Sequence, residues 1–268
     1  MRHGVYLPPI GSFGDVHLLM DLARAAEGAG WDGFFLWDHV NYERPEPLVD
    51  AWTTLAATAA VTSRIRLGPL ITPLPRRRPW KVAREAVTLD HLSGGRLVLG
   101  VGLGIDYWGE FSSFSGEAAD DRQRAELLDE GIEVITQLWS QQPAKFEGKH
   151  LAVREVRFVP GPVQSPRIPI WSAVLWPPAK PGPIRRAARC DGVMPFTGAA
   201  MTAADAAEVH RVVASARGDD GFDLCVWGAR EDAAAYRAAG VTWLLDAAAP
   251  DDDAADVRRR IEAGPPLG

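Results

Sequence analysis

The feature that most constrains this chain is an alternation. Eight short runs rich in Val, Ile, Leu and aromatic residues occur along it, most of them separated by amphipathic segments of helical length. A strand followed by a helix and then another strand buries both faces of a parallel sheet, so the pattern predicts βαβ units. The predicted strands are 5–7, 33–37, 65–72, 96–101, 168–173, 192–196, 222–227 and 241–245. Between the first two, Val16, Leu19, Leu22, Ala23 and Ala26 recur at helical spacing, with Asp15 to cap the start and Gly28 with Gly30 to stop it. An Ala-rich helix beginning near Asp50 precedes the third strand, and one opening at Pro79 precedes the fourth; proline suits a first helical position. Further helices are expected over 121–139 and 253–262. Eight strands close a barrel, so the expected fold is α/β, a (β/α)8 TIM barrel forming one domain over 1–268. An excursion at about 105–167 separates the fourth and fifth strands, and its segment FEGKHLAVREVRFVPGPVQSPR reads as a hairpin. An open doubly wound sheet shows the same alternation and differs in strand order and closure, which periodicity does not report. The Pro-rich stretch 177–183 reads as a loop, and the Ala/Asp run 246–256 as a solvated surface.

Composition narrows the class. With 47% hydrophobic and 24% charged residues the chain can bury one large core, far from the regime of disordered chains. A formal charge of −6 argues against a nucleic-acid partner, which calls for clustered Lys and Arg. The two cysteines, Cys190 and Cys225, sit in apolar, strand-like runs and read as small buried hydrophobes in a reducing cytoplasm. The start, MRHGVYLPPIGS, has no apolar stretch of signal-peptide length, and no later run approaches the roughly 18–20 apolar residues of a membrane span. The expectation is therefore a cytoplasmic protein without a membrane partner. The six histidines are scattered, the cysteines lack metal-ligand spacing, and neither a G-x-S-x-G elbow nor a P-loop is present. No metal is expected.

In a barrel the chemistry sits at the carboxyl ends of the strands. After the second strand come Trp37, Asp38 and His39, an aromatic, a carboxylate and an imidazole; they could serve a substrate or cofactor, or the Asp-His pair could stabilise its own loop. The third strand ends in Pro69, Leu70, Ile71, Thr72 and Pro73 and leads to Arg76, Arg77 and Arg78 in a proline-stiffened turn. Three guanidiniums there could hold an anion or make salt bridges. Gly100, Gly102 and Gly104 follow the fourth strand, where missing Cβ atoms admit a ring or phosphate or else permit a tight turn. This run is not a dinucleotide fingerprint, because Ile105 stands three after Gly102 and no helix opens there. Asp106, Tyr107, Trp108 and Glu110 could line the mouth, with no catalytic role assigned to Glu110. Ser172 with Ala173, and Thr197 with Gly198, end the fifth and sixth strands with small or hydroxyl-bearing groups suited to a phosphate, and each is also an ordinary strand end.

Several ordered blocks, AEGAGWDGFFLWDHV, TSRIRLGPLITPLPRRRPWKVARE, TLDHLSGGRLVLGVGLG, RAELLDEGIEVITQLW, FEGKHL and PVQSPRIPIW, cover the first two thirds of the chain and resemble the bacterial-luciferase-like oxidoreductases. That resemblance implies a TIM barrel with a reduced FMN or a deazaflavin, coenzyme F420, across its mouth and a small organic substrate. FMN is the first reading, with oxygen chemistry; F420 is the alternative, with hydride transfer. It further implies that Pro69, Leu70, Ile71 and Thr72 back the ring with Gly102 and Gly104 beside them. His39, with Asp38, would sit at the reactive side, and Trp37, Tyr107, Trp108 and Trp176 would line the substrate pocket. A non-prolyl cis bond is implied at Pro69–Leu70. Ser172, Ala173, Thr197 and Gly198 would hold the ribityl phosphate. A separate flavin or F420 reductase and a homodimer are compatible with the resemblance, and nothing in the sequence independently shows either. Two departures stand out. Ile105 replaces the catalytic Glu of the sugar-phosphate dehydrogenases, and Val174-Leu175-Trp176-Pro177-Pro178 replaces a glycine pair after the fifth strand. Two other readings remain: a non-catalytic flavin-binding protein, and a barrel hydrolase using Asp38 with Glu110.

Overall fold

The structure, a computed structural model, describes residues 1–219, 221–228 and 233–266. Four strand–helix pairs come first: β1 (Arg2–Leu7) and α1 (Val16–Gly28), β2 (Gly33–Leu36) and α2 (Ala51–Val61), β3 (Arg66–Pro69) with β4 (Thr72–Pro73) and α3 (Pro79–Ser93), then β5 (Leu99–Gly102) and α4 (Asp121–Trp139). An antiparallel hairpin follows, β6 (Ala144–Glu147) and β7 (Ala152–Val156). The remaining pairs are β8 (Ile170–Leu175) and α5 (Gly182–Ala187), β9 (Gly192–Phe196) and α6 (Ala203–Arg217), β10 (Asp223–Trp227) and α7 (Ala233–Ala238), and β11 (Trp243–Ala247) and α8 (Ala254–Glu262).

The strands pair in the order β3-β2-β1-β11-β10-β9-β8-β5-β4, and every pairing in this sheet is parallel. β4 continues β3 beyond Leu70 and Ile71, so the two ends of the series belong to one stave. The ring closes where Leu67 bridges Leu97 and Thr72 pairs with Val101. This is a (β/α)8 barrel rather than an open doubly wound sheet. Closure demands a close approach: a Cβ at Gly68 would lie 1.9 Å from the Val98 carbonyl oxygen, so glycine alone lets β3 reach its neighbour.

Local signals explain the helices. Asp15 accepts from the Leu18 N–H at 3.0 Å, Asp50 from Thr53 at 2.7 Å and Asp120 from Gln123 at 2.9 Å, each satisfying a backbone donor that the helix leaves unpaired. In α1 the buried positions are Leu19, Leu22, Ala23 and Ala26, the face that the spacing predicts. The buried Arg96 guanidinium donates five hydrogen bonds, among them bonds to the carbonyls of Ala59 and Thr62 that end α2. Inside the barrel Phe35, Trp171 and Trp243 meet at centroid distances of 5.5–5.8 Å in tilted or edge-on pairs. Such pairs add about 0.5–1.5 kcal/mol each beyond burial.

The first strand begins earlier, at Arg2, the fourth is shifted to Leu99–Gly102, and the stretch read as a loop to 183 runs into α5 at Gly182; three further expectations change. The third strand breaks at Leu70–Ile71 instead of running from 65 to 72. The fifth continues to Leu175, paired with Phe196, instead of stopping at 173. Cys190 lies in the turn before β9 rather than in a strand, although both thiols are free and buried. The hairpin forms as expected, whereas α4 is an ordinary barrel helix packed on α3. Among the described residues no helix is long and apolar enough to cross a membrane.

Candidate active site

The carboxyl ends of the strands surround a cavity of about 760 Å³. On its β2 side the chain leaves the strand at Leu36 and presents an aromatic row. Tyr6, Trp37, His39 and Trp108 follow one another at centroid distances of 5.9, 5.9 and 4.8 Å, and Tyr42 packs behind Trp108 at 4.7 Å. Tyr6, Trp37, His39 and Trp108 line the cavity together with Ile105.

Glu110, 1% exposed, lies behind this row. Its carboxylate faces His39 Nδ1 at 2.8 Å and accepts from the Val40 N–H and from Arg76 Nη1, each at 2.8 Å. Burial pushes the Glu110 carboxyl up, but the bonds from His39 and Val40 and the Arg76 charge outweigh it and hold the group below the usual glutamate value. An ionised carboxylate only accepts, so the proton on that side of the imidazole belongs to Nδ1. Nε2 is then the ring nitrogen left to a ligand, with His39 still 16% exposed to the cavity. An imidazole fixed in this way can hold or move one proton at a ligand atom.

Asp38, by contrast, faces away from the cavity. Its carboxylate accepts from Arg77 Nη2 at 2.8 and 3.0 Å, from Thr72 Oγ1 at 2.8 Å and from Trp52 Nε1 at 3.1 Å. These bonds occupy the Thr72 hydroxyl as well, and Trp52 Nε1 also reaches it at 3.0 Å. Arg76 and Arg77 are therefore counter-ions of Glu110 and Asp38, while Arg78 is exposed. The salt-bridge reading of the arginine turn describes the first two. A hydrolase pairing Asp38 with Glu110 does not fit, because both carboxylates are buried and neutralised by guanidiniums.

The remaining expected site residues fall into different places. Leu70 is buried in the barrel interior, and its carbonyl accepts from the Tyr6 hydroxyl at 2.6 Å. Among the described residues the non-prolyl cis peptide is Leu70–Ile71, one bond beyond Pro69–Leu70. The glycine run serves packing: a Cβ at Gly102 would meet Ile71 Cγ2 at 2.7 Å, and one at Gly104, whose φ is +75°, would meet the Phe111 ring at 2.7 Å. Trp171 points into the barrel, whereas Ile170 and Val174 pack outward, so alternation turns buried Ser172 toward the helices and Ala173 inward. The Thr197 hydroxyl donates to the Ala199 carbonyl at 2.7 Å, and Gly198 lines the cavity. Tyr107 is 81% exposed and does not line the cavity, and Trp176 packs on the cluster under α5 and α6. Sequence reasoning missed the far wall. The run read as solvated surface supplies Asp246, Ala247, Ala248, Ala249 and Asp252, and Arg260 joins them from α8. Arg260 Nη2 lies 3.1 Å from Asp246 Oδ1 and donates to the Ala247 carbonyl at 3.2 Å.

This geometry can be set beside known proteins. An F420-dependent glucose-6-phosphate dehydrogenase of Kineococcus radiotolerans is 32% identical over 191 residues, covering 68% of this chain and 53% of that protein. The chain spans a little over half the length of the curated relatives it matches. The F420-dependent tetrahydromethanopterin reductase of Methanopyrus kandleri superposes with a TM-score of 0.76 at 19% identity, covering 98% of this chain and 96% of that one. A monooxygenase from Streptomyces bottropensis superposes at 0.70 with 24% identity, covering 99% and 80%. Both likenesses establish the fold. The profile of the luciferase-like monooxygenases matches residues 2–262, and the chain belongs to that family.

Proposed function

We propose that this protein is an oxidoreductase that positions a reduced FMN, or alternatively coenzyme F420, at the barrel mouth to act on a small organic substrate. The observation that carries the reading is the cavity lined by His39, whose Nδ1 is held by buried Glu110. The aromatic walls and open volume suit a planar ring, and the cavity lies where a barrel keeps its chemistry. A reduced flavin supplies hydride or activates dioxygen, and a reduced deazaflavin supplies hydride. The chain's own part is position and proton control. His39 Nε2 holds or accepts a proton at a substrate oxygen, Glu110 fixes the tautomer, and Trp37, Trp108 and Ile105 keep water from the reacting face. A separate reductase would deliver the reduced cofactor, and two buried free thiols suit a reducing cytoplasm.

The F420 alternative draws support from the 32% identical dehydrogenase. That relative's sugar-phosphate activity does not transfer readily, because Ile105 lines the cavity and Arg76 and Arg77 are engaged below it. Anaerobic fluorescence titration with reduced FMN and, separately, reduced F420 tests the proposal, repeated with His39→Ala. Saturable binding of one cofactor, followed by its oxidation in the presence of substrate or oxygen, is expected. Binding of neither would sink the reading, and binding without turnover would favour a non-catalytic flavin carrier.

A further inference from the structure

We infer that the amino-terminal end of the barrel, opposite the mouth, holds a second ligand site that takes a phosphate-type oxyanion, free or as a small phosphomonoester. The inference does not depend on the cofactor reading, because it rests on a separate cavity of about 380 Å³.

Strand starts build that cavity. Arg2 opens β1, Arg66 opens β3 and Trp243 opens β11, while Arg64 comes from the turn that leads into β3. Alternation sends Arg2 inward with Gly4 and Tyr6, and its guanidinium carbon lies 5.3 Å from the centre of the Trp243 ring. Trp243 is fully buried, and among the described residues its indole N–H has no acceptor.

The carboxylates of this cavity are spent on backbone donors. Glu27 accepts from the N–H groups of Ser63, Arg64 and Ile65, and Asp32 accepts from the His3 N–H at 2.8 Å. Among the described residues none of the three guanidiniums is ion-paired with a carboxylate. That of Arg64 reaches the Glu27 carbonyl at 3.4 Å and that of Arg66 the Gln164 side chain at 3.5 Å, both at the outer limit of a hydrogen bond. Burial pulls the Arg66 guanidinium below the usual arginine value, the neighbouring Arg2 charge adds to this, and Asp223 and Asp90 offset part of it.

At the mouth the same residue type is neutralised, since Arg76 and Arg77 each meet a carboxylate at 2.8 Å. Like charges gathered in a half-enclosed cavity repel, and an oxyanion bridging them replaces that repulsion with charge-assisted hydrogen bonds. The three arms are rooted on β1, on β3 and on the turn before it, so their donors need not share a plane; this suits a tetrahedral anion better than one planar carboxylate. The cavity is larger than the ion and leaves room beside the Trp243 ring for a small organic group.

Equilibrium dialysis of the full chain against radiolabelled inorganic phosphate, at fixed ionic strength, tests the site. Saturable binding is expected. Arg2→Gln and Arg66→Gln should each weaken it by at least about 10-fold, whereas Arg260→Ala, at the mouth, should change it by less than about twofold. Phosphate should also raise the Tm of the parent above its value in chloride and fail to do so in either arginine-to-glutamine variant. Arg2 is exposed, so Arg2→Gln decides the matter should Arg66→Gln not fold. Competition by glycerol phosphate separates the two sources: displacement at a lower concentration than unlabelled phosphate supports the ester, and equal displacement supports the free ion. Absence of saturable binding overturns the inference. So does binding that survives both arginine-to-glutamine substitutions, or that is lost with Arg260→Ala.

Discussion

On the β2 and β5 side of the mouth, Asp38, Glu110, Arg76 and Arg77 are locked to partners of opposite sign. On the β8 and β9 side the strands end in Leu175, Phe196, Thr197 and Gly198, none of them ionisable. The first wall gives a polar group a fixed direction, because a buried carboxylate surrounded by donors cannot turn without losing them. The second offers shape and apolar surface and no ionisable group to orient a proton. The mouth thus divides between a wall that fixes polar groups and an adjoining wall, joined to it through the β5–β8 pairing, that supplies apolar surface, and each can be altered without the other.

The largest effect expected is on folding. Asp38→Ala leaves the Arg77 guanidinium buried without its carboxylate and should destabilise the protein by about 3–5 kcal/mol in urea denaturation. Asp38→Asn keeps an acceptor for Thr72 and Trp52 and should cost less. If Asp38→Ala proves as stable as the parent but inactive, Asp38 belongs to the chemistry and the division fails. Next comes Glu110→Gln, expected to lower kcat by on the order of 10–100-fold with KM little changed, since His39 stays in the cavity without a fixed tautomer. Glu110 is held below the usual glutamate value, so the stability it contributes is present above that value and is lost as pH falls through the lower one. The stability gap between parent and Glu110→Gln should accordingly shrink in acid.

A position remote from both walls sharpens the contrast. Glu27 accepts from the backbone N–H groups of Ser63, Arg64 and Ile65 at 2.6–3.0 Å, and despite partial burial these bonds hold its carboxyl at about 2. Glu27→Gln should cost about 1 kcal/mol at neutral pH, an effect that fades as pH falls toward 2, with flavin affinity unchanged. The smallest effect is expected at Thr197→Ala, which removes a hydroxyl already bonded within its own turn. Flavin affinity should stay within about twofold, and a large loss would show that the Thr197 hydroxyl leaves its turn to reach the ligand.

How much of this was legible in the sequence depends on the distance over which each signal acts. The face of α1, the cap at Asp15 and the opening of α3 at Pro79 are local and could be read from spacing. Barrel closure could not, because Gly68 meets Val98 through register rather than periodicity. The role of Glu110 was hidden for the same reason, since its partner His39 stands 71 residues earlier. Asp38 and His39 are neighbours in the chain, yet one faces the ion pairs and the other the cavity. Ser172 looked like a phosphate ligand until strand alternation turned it outward. The run 246–256, which begins at the end of β11, reads as solvent-facing from composition, and only the barrel's curvature brings Asp246 and Asp252 to the mouth.

The central claim, that the ligand's ring lies against His39, is tested most directly by chemical protection. Histidine carbethoxylation of the full chain, mapped by mass spectrometry with and without saturating reduced cofactor, compares His39 with the exposed His17. The account predicts that bound cofactor suppresses modification of His39 and leaves His17 unchanged. Undiminished reaction at His39 while the cofactor is demonstrably bound would contradict it.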